Sequence, residues 1–186
     1  MSASQQLKIV FTGPMGAGKT TAIRAISDVR PVSTEAVNND REASAKASTT
    51  VALDYGEVTL EDNTCVRLYG TPGQTRFSFM WEILGAGALG VILLLDGSSR
   101  NALNDLKEFV QAFHEAGANQ PLIVGVGRLS SSDTPKLEAY SRFLEGIRPT
   151  VPVFSVDVRL REDVLLMIEA LLCVLEARGE SQDAAR

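Results

Sequence analysis

Hydrophobic and polar positions follow two different periods along this chain, and the change from one period to the other predicts its elements. Short, mainly apolar runs at 7–11, 91–95 and 121–126 are typical of buried strands. Between such runs, apolar residues recur at helical spacing, as they do over 101–116, where they fall on one face. This alternation predicts an α/β fold, with right-handed crossovers and a mostly parallel six-stranded sheet covered by helices on both faces.

The middle of the chain predicts a hairpin within this sheet. Residues 51–56 alternate as a half-buried strand does, and a second strand at 65–69 follows after a short turn. The hairpin strand would be the one antiparallel member. The segment 31–50 is rich in Ser, Thr, Asn and charge and has no apolar period, so it predicts a loop.

Three more elements complete the predicted sheet and its cover. A helix opens at Thr134, with a buried stripe that extends to Ile147, and 151–155 has the pattern of an edge strand. Apolar positions from 164 to 175 predict a well-buried final helix, and the tail from Gly179 is expected to fray. With no repeat or linker in view, we predict one domain over 1–186, with a core of about 7–177 and short flexible ends.

The first strand runs into a glycine-rich turn, G-P-M-G-A-G-K-T at 13–20, which fits G-x-x-x-x-G-K-[ST] at every fixed position. Glycines let successive backbone N–H groups converge on phosphate oxygens, because no Cβ blocks the approach. Lys19 would supply a mobile charge for the β- and γ-phosphates, and Thr20 a hydroxyl for Mg²⁺. The positive dipole end of the following helix points at the same anion. A chance match in a turn is the alternative, and the strand and helix that flank the motif argue against it.

Composition argues against several classes of function and does not indicate one. A net charge of -5 argues against a nucleic-acid partner, which normally needs a basic face. The two cysteines, Cys65 and Cys173, have neither metal-ligand nor disulfide spacing and are expected in the core. The longest apolar run, 84–95, is too short to cross a bilayer, and neither end carries a targeting or lipidation motif. These features favour a cytoplasmic protein without an intrinsic membrane anchor.

Two further motifs indicate which class of nucleotide-binding protein this chain resembles. A threonine stands at position 50, directly before the strand at 51–56, and G-T-P-G-Q at 70–74 breaks the next strand. Together with the phosphate loop, these motifs resemble in order and spacing the Ras-like small GTPases, and among them the bacterial MglA-like branch. The resemblance covers roughly residues 7 to 177. It implies the small-GTPase fold and a molecular switch that binds and slowly hydrolyses GTP with Mg²⁺.

The resemblance also implies roles for residues in the two switch segments. Thr50 would place its hydroxyl on Mg²⁺ and its N–H on the γ-phosphate, which the N–H of Gly73 would meet from the other side. Gln74 would orient the attacking water, and Arg41 is the basic residue best placed for an intrinsic arginine finger. Departure of the γ-phosphate would release both segments. Thr50 as a strand-start residue and Gln74 as a plain turn residue are the structural alternatives.

Three positions depart from the family pattern. Gly70 stands where most members have the Asp of D-x-x-G, and by resemblance Asp54 would reach the metal through water instead. Met15 stands where Ras has a glycine, and a side chain there would crowd the attacking water and slow unaided hydrolysis.

The base motif N-K-x-D is replaced by G-R-L-S at 127–130, which removes the Asp that accepts from guanine. A charge-assisted bond of this kind contributes about 1.5–3 kcal/mol, so the preference for guanine over adenine should fall about tenfold to a hundredfold. The stem and guanidinium of Arg128 would still stack on a purine, and Asp133 is a candidate for the missing acceptor. Ser155 and Val156 stand where the family makes a main-chain contact with the base.

The predicted site residues fall into three groups. The catalytic group is Gln74, Lys19 and Arg41, and the metal group is Thr20, Thr50 and Asp54. The nucleotide-binding group is Gly13, Pro14, Met15, Gly16, Ala17, Gly18, Lys19, Thr20, Thr21, Thr50, Gly73, Gly127, Arg128, Ser130, Ser155 and Val156.

Other functions stay open on the sequence. The altered residues at 70 and 127–130 favour a degenerate, non-hydrolysing interaction module or a switch with relaxed ATP and GTP preference. A P-loop ATPase or small-molecule kinase would need a substrate lid, and none is evident. By resemblance, a roadblock-type dimer is the expected regulator, and the effector protein is not indicated.

Overall fold

Seven strands and four helices follow one another in the part of the chain that the computed structural model describes, which is residues 7–33, 53–60, 63–73, 85–115, 119–130, 134–148 and 150–183. In chain order they are β1 Leu7–Thr12, α1 Lys19–Ile26, β2 Val32–Ser33, β3 Asp54–Thr59, β4 Cys65–Gly70, β5 Gly90–Asp96, α2 Ala102–Glu115, β6 Leu122–Gly127, α3 Thr134–Glu145, β7 Val153–Ser155 and α4 Arg161–Asp183.

The strands form one sheet in the order β2-β3-β4-β1-β5-β6-β7. Strand β1 pairs in parallel with β4 and β5, and β6 pairs in parallel with β5 and β7. Strand β3 is antiparallel to both of its neighbours, so it alone runs against the others in this sheet. The predicted α/β class, the parallel sheet and the single antiparallel hairpin strand are confirmed.

Alternate side chains of β1, β5 and β6 point to opposite sides of the sheet, and apolar residues lie on both. Helices therefore cover both faces. On one face, α2 and α3 close a core around Val10, Leu93 and Val124, into which Phe109 and Leu144 pack. On the other face, α1 and α4 close a second core. Its central members are Ile9, Phe11, Ile23, Ile92, Leu94, Ile123, Met167, Ile168 and Leu171.

The structure corrects several boundaries. Residues Val32–Ser33, expected in a loop, form the short edge strand β2, because pairing with β3 stabilises two residues that are too few to show a period. Of the strand expected at 51–56, residues 51 and 52 lie outside the described residues, and the described strand β3 covers 54–59, where it pairs with β4. Helix α4 continues to Asp183, beyond the expected end of order at Gly179.

Three side chains expected in the core are exposed. Ile147 follows the end of α3 and is 46% exposed, so the buried stripe of that helix ends at Leu144. Cys65 and Cys173 are both exposed, so their prediction as core residues is wrong. Cys65 opens β4, where the burial pattern alternates with Val66 and Leu68 inside, and Cys173 lies outside the buried stripe of α4.

All parallel strands end at the same edge of the sheet, which brings their loops together. The phosphate loop at 13–18 follows β1, and the ends of β4, β5, β6 and β7 lie along the same edge. In open α/β sheets this edge carries the ligand site. No helix within the described residues is both long and apolar enough to cross a bilayer.

Candidate nucleotide-binding site

The phosphate loop is held open by glycines in backbone conformations that other residues rarely adopt. Gly13, Gly16 and Gly18 have φ angles of 137°, 81° and 97°. Gly18 caps α1, and its carbonyl accepts the N–H of Ala22 at 2.8 Å. The loop therefore has the left-handed turns that direct consecutive N–H groups into one concavity.

Alanine at Gly13 and at Gly16 should have very different effects on stability. A Cβ at Gly13 would lie 2.1 Å from the carbonyl oxygen of Leu94, whereas at Gly16 nothing lies within 4 Å. We expect Gly13→Ala to lower the free energy of unfolding by about 3 kcal/mol or more, from steric overlap and strain together. Gly16→Ala, the matched control, should cost only the strain, about 1–2 kcal/mol. Urea unfolding of both variants checks this, and equal losses would contradict the close approach of Gly13 to β5.

Lys19 is buried beneath the loop, with 8% of the residue exposed. Its Nζ donates to the carbonyl oxygens of Gly13 and Pro14, each at 2.8 Å. Burial lowers the pKa of Lys19 to about 8, and the nearby Asp54 carboxylate acts in the opposite direction. The amine is thus held in the loop by weak carbonyl acceptors, which the stronger oxygens of a phosphate would replace.

Thr20 and Asp54 come together across the start of the site. The Thr20 hydroxyl donates to Oδ2 of Asp54 at 2.5 Å. Asp54 lies directly opposite Gly70 in the β3–β4 pair. A Cβ at Gly70 would lie 2.9 Å from the Asp54 Cβ and 3.1 Å from its Oδ2. The Asp54 carboxylate therefore fills the space that a side chain at position 70 would need.

The segment after β4 packs against the phosphate loop. The hydroxyls of Thr12 and Thr71 are hydrogen-bonded at 2.9 Å in the interior, and the N–H of Thr71 donates to the Phe11 carbonyl. A Cβ at Gly73 would lie 2.5 Å from the nitrogen of Met15. The side chain of Met15 itself is 76% exposed. Gly73 and the loop backbone are thus in direct contact, and the phosphate-binding role of Gly73 stays a prediction.

The end of β6 presents little side-chain chemistry. Gly127 has none, and Arg128 adopts a left-handed φ of 55° and forms an ion pair with Asp96 at the end of β5. Partial burial acts to raise the pKa of Asp96, but hydrogen bonds from Ser98 and the Arg128 charge hold it below its ordinary value. The guanidinium predicted to stack on a purine is therefore engaged by a carboxylate.

The turn after β7 is fixed by its own hydrogen bonds. The N–H of Val156 donates to the Val126 carbonyl at 3.0 Å, and the N–H of Asp157 donates to Oδ2 of Asp163 at 2.7 Å. The carboxylate of Asp157 accepts from the backbone and guanidinium of Arg159. These hydrogen bonds from Arg159 lower the pKa of Asp157 to about 2.

Val158, the central residue of this turn, lies against the phosphate loop. A Cβ at Gly18 would be 2.8 Å from Cγ2 of Val158. Val158 could not be identified from the sequence, because a single valine after a strand carries no signal. Its position depends on how the turn folds back over the loop.

The structure brings together the predicted phosphate-loop residues, Asp54, Gly73 and the ends of β6 and β7. Of the phosphate-loop predictions, Thr21 is exposed on α1, whereas Ala17 is buried. Arg41, Thr50, Gln74 and Asp133 lie outside the described residues, and their roles stay predictions.

These features together define a P-loop nucleotide-binding protein. They are a parallel α/β sheet, a phosphate loop after its first strand, a buried loop lysine and a Thr–Asp pair beside that loop. More particularly, the chain belongs to the family described as "conserved hypothetical ATP binding protein", whose model matches residues 28–177. That match begins after the phosphate loop, so the two observations are independent.

Curated relatives extend this assignment. The chain is 32% identical over 94 residues to an uncharacterized protein of Methanocaldococcus jannaschii. The matched stretch covers 50% of this chain and 53% of that protein. It is 26% identical over 126 residues to the Ras-related protein Rab-11B of Dictyostelium discoideum, covering 66% and 52% of the two chains. With the Ras-related protein SEC4 of Saccharomyces cerevisiae it shares 24% identity over 132 residues, covering 69% and 55%. The chain spans about half the length of these relatives, and the similarities support a place in the Ras-like small GTPase superfamily.

Proposed function

We propose that the protein is a molecular switch that binds a purine nucleoside triphosphate with Mg²⁺ and hydrolyses it slowly. In the triphosphate and diphosphate forms, it would present different surfaces to a partner protein. The observation that carries this proposal is the contact between Gly73 and the backbone of Met15. Any group that occupies the γ-phosphate position beside Met15 must interact with the segment that follows β4. The presence of that group is thereby coupled to the protein surface.

The residues beside the loop fit a magnesium ion. Mg²⁺ prefers oxygen ligands and commonly keeps several waters, so one hydroxyl and one carboxylate beside the phosphates suffice. Thr20 and Asp54 supply this donor set, with Thr50 as a further proposed ligand. When bound, the ion would neutralise charge on the phosphates and position them. Because Thr20 and Asp54 are already in contact at 2.5 Å, they need little rearrangement to face the same ion.

Slow hydrolysis follows from the catalytic groups that we assign. Phosphoryl transfer depends mainly on positioning and electrostatic stabilisation, which we assign to Lys19, Gln74 and Arg41. The Met15 side chain borders the place where the attacking water must stand. We therefore expect an unaided rate on the order of 10⁻⁴ to 10⁻³ s⁻¹, below the roughly 10⁻² s⁻¹ of a switch whose arginine stands in cis without such crowding.

Support for the nucleotide's identity is divided. The similarity to Ras-related proteins favours GTP, and the description of the family favours ATP. The switch motifs are those that resemble the MglA-like branch, so we propose a bacterial, cytoplasmic protein regulated by a roadblock-type dimer. A non-hydrolysing interaction module is the second candidate, because Gly70 and Gly127 replace family side chains at the metal and base sites.

Identification of the bound nucleotide and its turnover tests this proposal. Nucleotide is extracted from purified protein and identified, and phosphate release from GTP and ATP is then followed with and without Mg²⁺. Lys19→Ala is the control, since it removes the charge together with the two hydrogen bonds that the amine donates to the loop carbonyls. We expect Mg²⁺-dependent binding that Lys19→Ala abolishes, and slow release that a roadblock-type protein accelerates.

Two outcomes would contradict the switch. If the unaltered protein bound neither nucleotide better than Lys19→Ala does, the phosphate loop would have no ligand role. Tight binding without phosphate release, even with a roadblock-type protein present, would favour the interaction module.

A further inference from the structure

Two buried threonines lie behind the site, where the phosphate loop and the segment after β4 leave the sheet. Thr12 is the last residue of β1 and directly precedes Gly13 of the loop, and Thr71 directly follows the last residue of β4. Thr12 is fully buried and Thr71 is 3% exposed. Among the described residues, the buried polar or charged side chains are these two and Lys19. Neither threonine has a role in the function proposed above.

A hydrogen bond joins the two threonine side chains. Their Oγ1 atoms are 2.9 Å apart, although the residues are 59 positions apart in the chain. Beside this bond, the N–H of Thr71 donates to the carbonyl of Phe11 at 2.9 Å. That contact lies directly next to the Phe11–Gly70 pair of β1 and β4. Thr71 is thus tied to the end of β1 through both its backbone and its side chain.

Burial makes the bond between the two hydroxyls costly to break. A hydroxyl that loses its partner in the interior has no water to replace it, so its desolvation is no longer compensated. The bond therefore favours one arrangement of Thr71 against Thr12.

Gly73 lies two residues beyond Thr71, and a single proline separates them. Pro72 is buried, and its ring fixes its own φ and restricts the residue before it. The backbone at Gly73 comes so close to the phosphate loop that an added Cβ would lie 2.5 Å from the nitrogen of Met15. Because the link between Thr71 and Gly73 is short and stiff, the position of the first sets the position of the second.

We infer that the Thr12–Thr71 hydrogen bond positions Gly73 at the γ-phosphate site, and that the relative affinity for nucleoside triphosphate and diphosphate depends on this bond. The inference rests on the proposed function, in which Gly73 meets the γ-phosphate. Thr12 and Thr71 are positioning residues, because they act through Gly73 and do not touch the nucleotide. A diphosphate has no γ-phosphate to meet Gly73, so its binding does not depend on the bond.

Competition binding with triphosphates and diphosphates tests this inference. The slowly hydrolysed analogues GTPγS and ATPγS, and the diphosphates GDP and ADP, compete with a fluorescent nucleotide in the presence of Mg²⁺. The measured quantity is the ratio of triphosphate affinity to diphosphate affinity, taken for the base that binds more tightly. Urea unfolding of each variant is measured alongside, so that a loss of stability is recorded separately from a change in this ratio.

Thr71→Val keeps the shape of the side chain and removes its hydroxyl. We expect it to lower the triphosphate affinity about threefold to tenfold, which corresponds to the net strength of one hydrogen bond. The diphosphate affinity should not change. Thr71→Ser keeps the hydroxyl and loses a methyl group, so it should keep the ratio of the unaltered protein.

Ser27→Ala is the matched control. The Ser27 hydroxyl also joins two segments of the chain, since it donates to the Glu57 carbonyl and accepts the Glu57 N–H. It lies at the end of α1 that is remote from the phosphate loop. Its loss should lower the stability and leave the ratio unchanged. A fall in the ratio as large as that in Thr71→Val would overturn the inference.

The double variant of Thr12→Val and Thr71→Val separates positioning from stability. Thr71→Val alone leaves the Thr12 hydroxyl buried without this partner and should lower the urea midpoint. Two valines leave no unpaired hydroxyl and should restore much of the midpoint. The ratio should stay low in the double variant, because the hydrogen bond is still missing. A ratio that recovers with the stability, or an unchanged ratio in Thr71→Val, would overturn the inference.

The two proposals fail in different ways. If the ratio changes as expected but no phosphate is released from GTP or ATP, only the hydrolysis assigned to the switch is wrong. If phosphate is released and Thr71→Val leaves the ratio unchanged, only the role of the threonine pair is wrong. If neither triphosphates nor diphosphates bind the unaltered protein, both are wrong.

Discussion

Asp54→Gly is expected to weaken Mg²⁺-dependent nucleotide binding about 10- to 100-fold, the usual effect of removing a carboxylate that orients a metal site. Asp54 accepts the Thr20 hydroxyl at 2.5 Å, so the substitution removes both a negative charge and the partner of a proposed ligand. Titration of nucleotide with Mg²⁺ and with EDTA measures the effect. The affinity in EDTA should change little, and an equal loss in both conditions would mean that Asp54 acts only on the fold.

Gly70→Asp should restore the affinity, but only when Asp54 has become glycine. In the unaltered protein, a Cβ at position 70 would lie 2.9 Å from the Asp54 Cβ, so Gly70→Asp alone introduces a collision and a second carboxylate. In the double variant the carboxylate moves to the opposite residue of the same strand pair. We expect the double variant to bind nucleotide with Mg²⁺ within about tenfold of the affinity of the unaltered protein. Its remaining loss would then be no larger than the smallest loss expected for Asp54→Gly alone. No recovery in a folded double variant would contradict the exchange of roles between the two positions.

Nucleotide affinity should fall as the pH rises above about 8, because the Lys19 amine then loses its proton in the empty protein. Bound phosphate favours the charged amine, so binding above this pH must take up a proton. The affinity then decreases by up to about tenfold per pH unit. The nucleotide contributes little to this slope, since its terminal phosphate titrates near pH 6.

The stability of the empty protein should change in the opposite direction. The pKa of Lys19 is lowered from 10.5 to about 8 in the folded state. Between these values the unfolded chain binds more protons, so the free energy of unfolding rises with pH across this window and is level below it. The gain from this group is roughly 3 kcal/mol at most.

Calorimetry in two buffers of different ionisation enthalpy, at pH 7 and at pH 9, measures the proton uptake. We expect uptake at pH 9 and almost none at pH 7. Lys19→Met, which keeps the apolar stem, should lose the proton uptake, most of the affinity and the stability increase between pH 8 and 10.5. Equal uptake at both pH values would contradict the lowered pKa.

The sequence was a reliable guide where the chemistry lies in consecutive residues. Strands β1, β5 and β6 were predicted from mainly apolar runs, because most positions of a strand covered on both faces are buried. The sequence was a poor guide where pairing with another segment of the chain decides the structure. Strand β2 is two residues long and exists through its pairing with β3. Similarly, Cys65 is exposed because of the face on which the register of β4 places it.

By itself, the sequence determined the α/β fold and the phosphate-binding loop, because glycines, lysine and threonine at fixed spacing define a backbone conformation locally. Only the tertiary structure decided how that loop is completed. It placed Asp54 opposite Gly70 and against Thr20, paired Arg128 with Asp96, and set Val158 over Gly18. Each of these contacts joins segments that are distant in the chain. Their geometry depends on strand register and on the direction of a turn, and the residues of one segment alone determine neither.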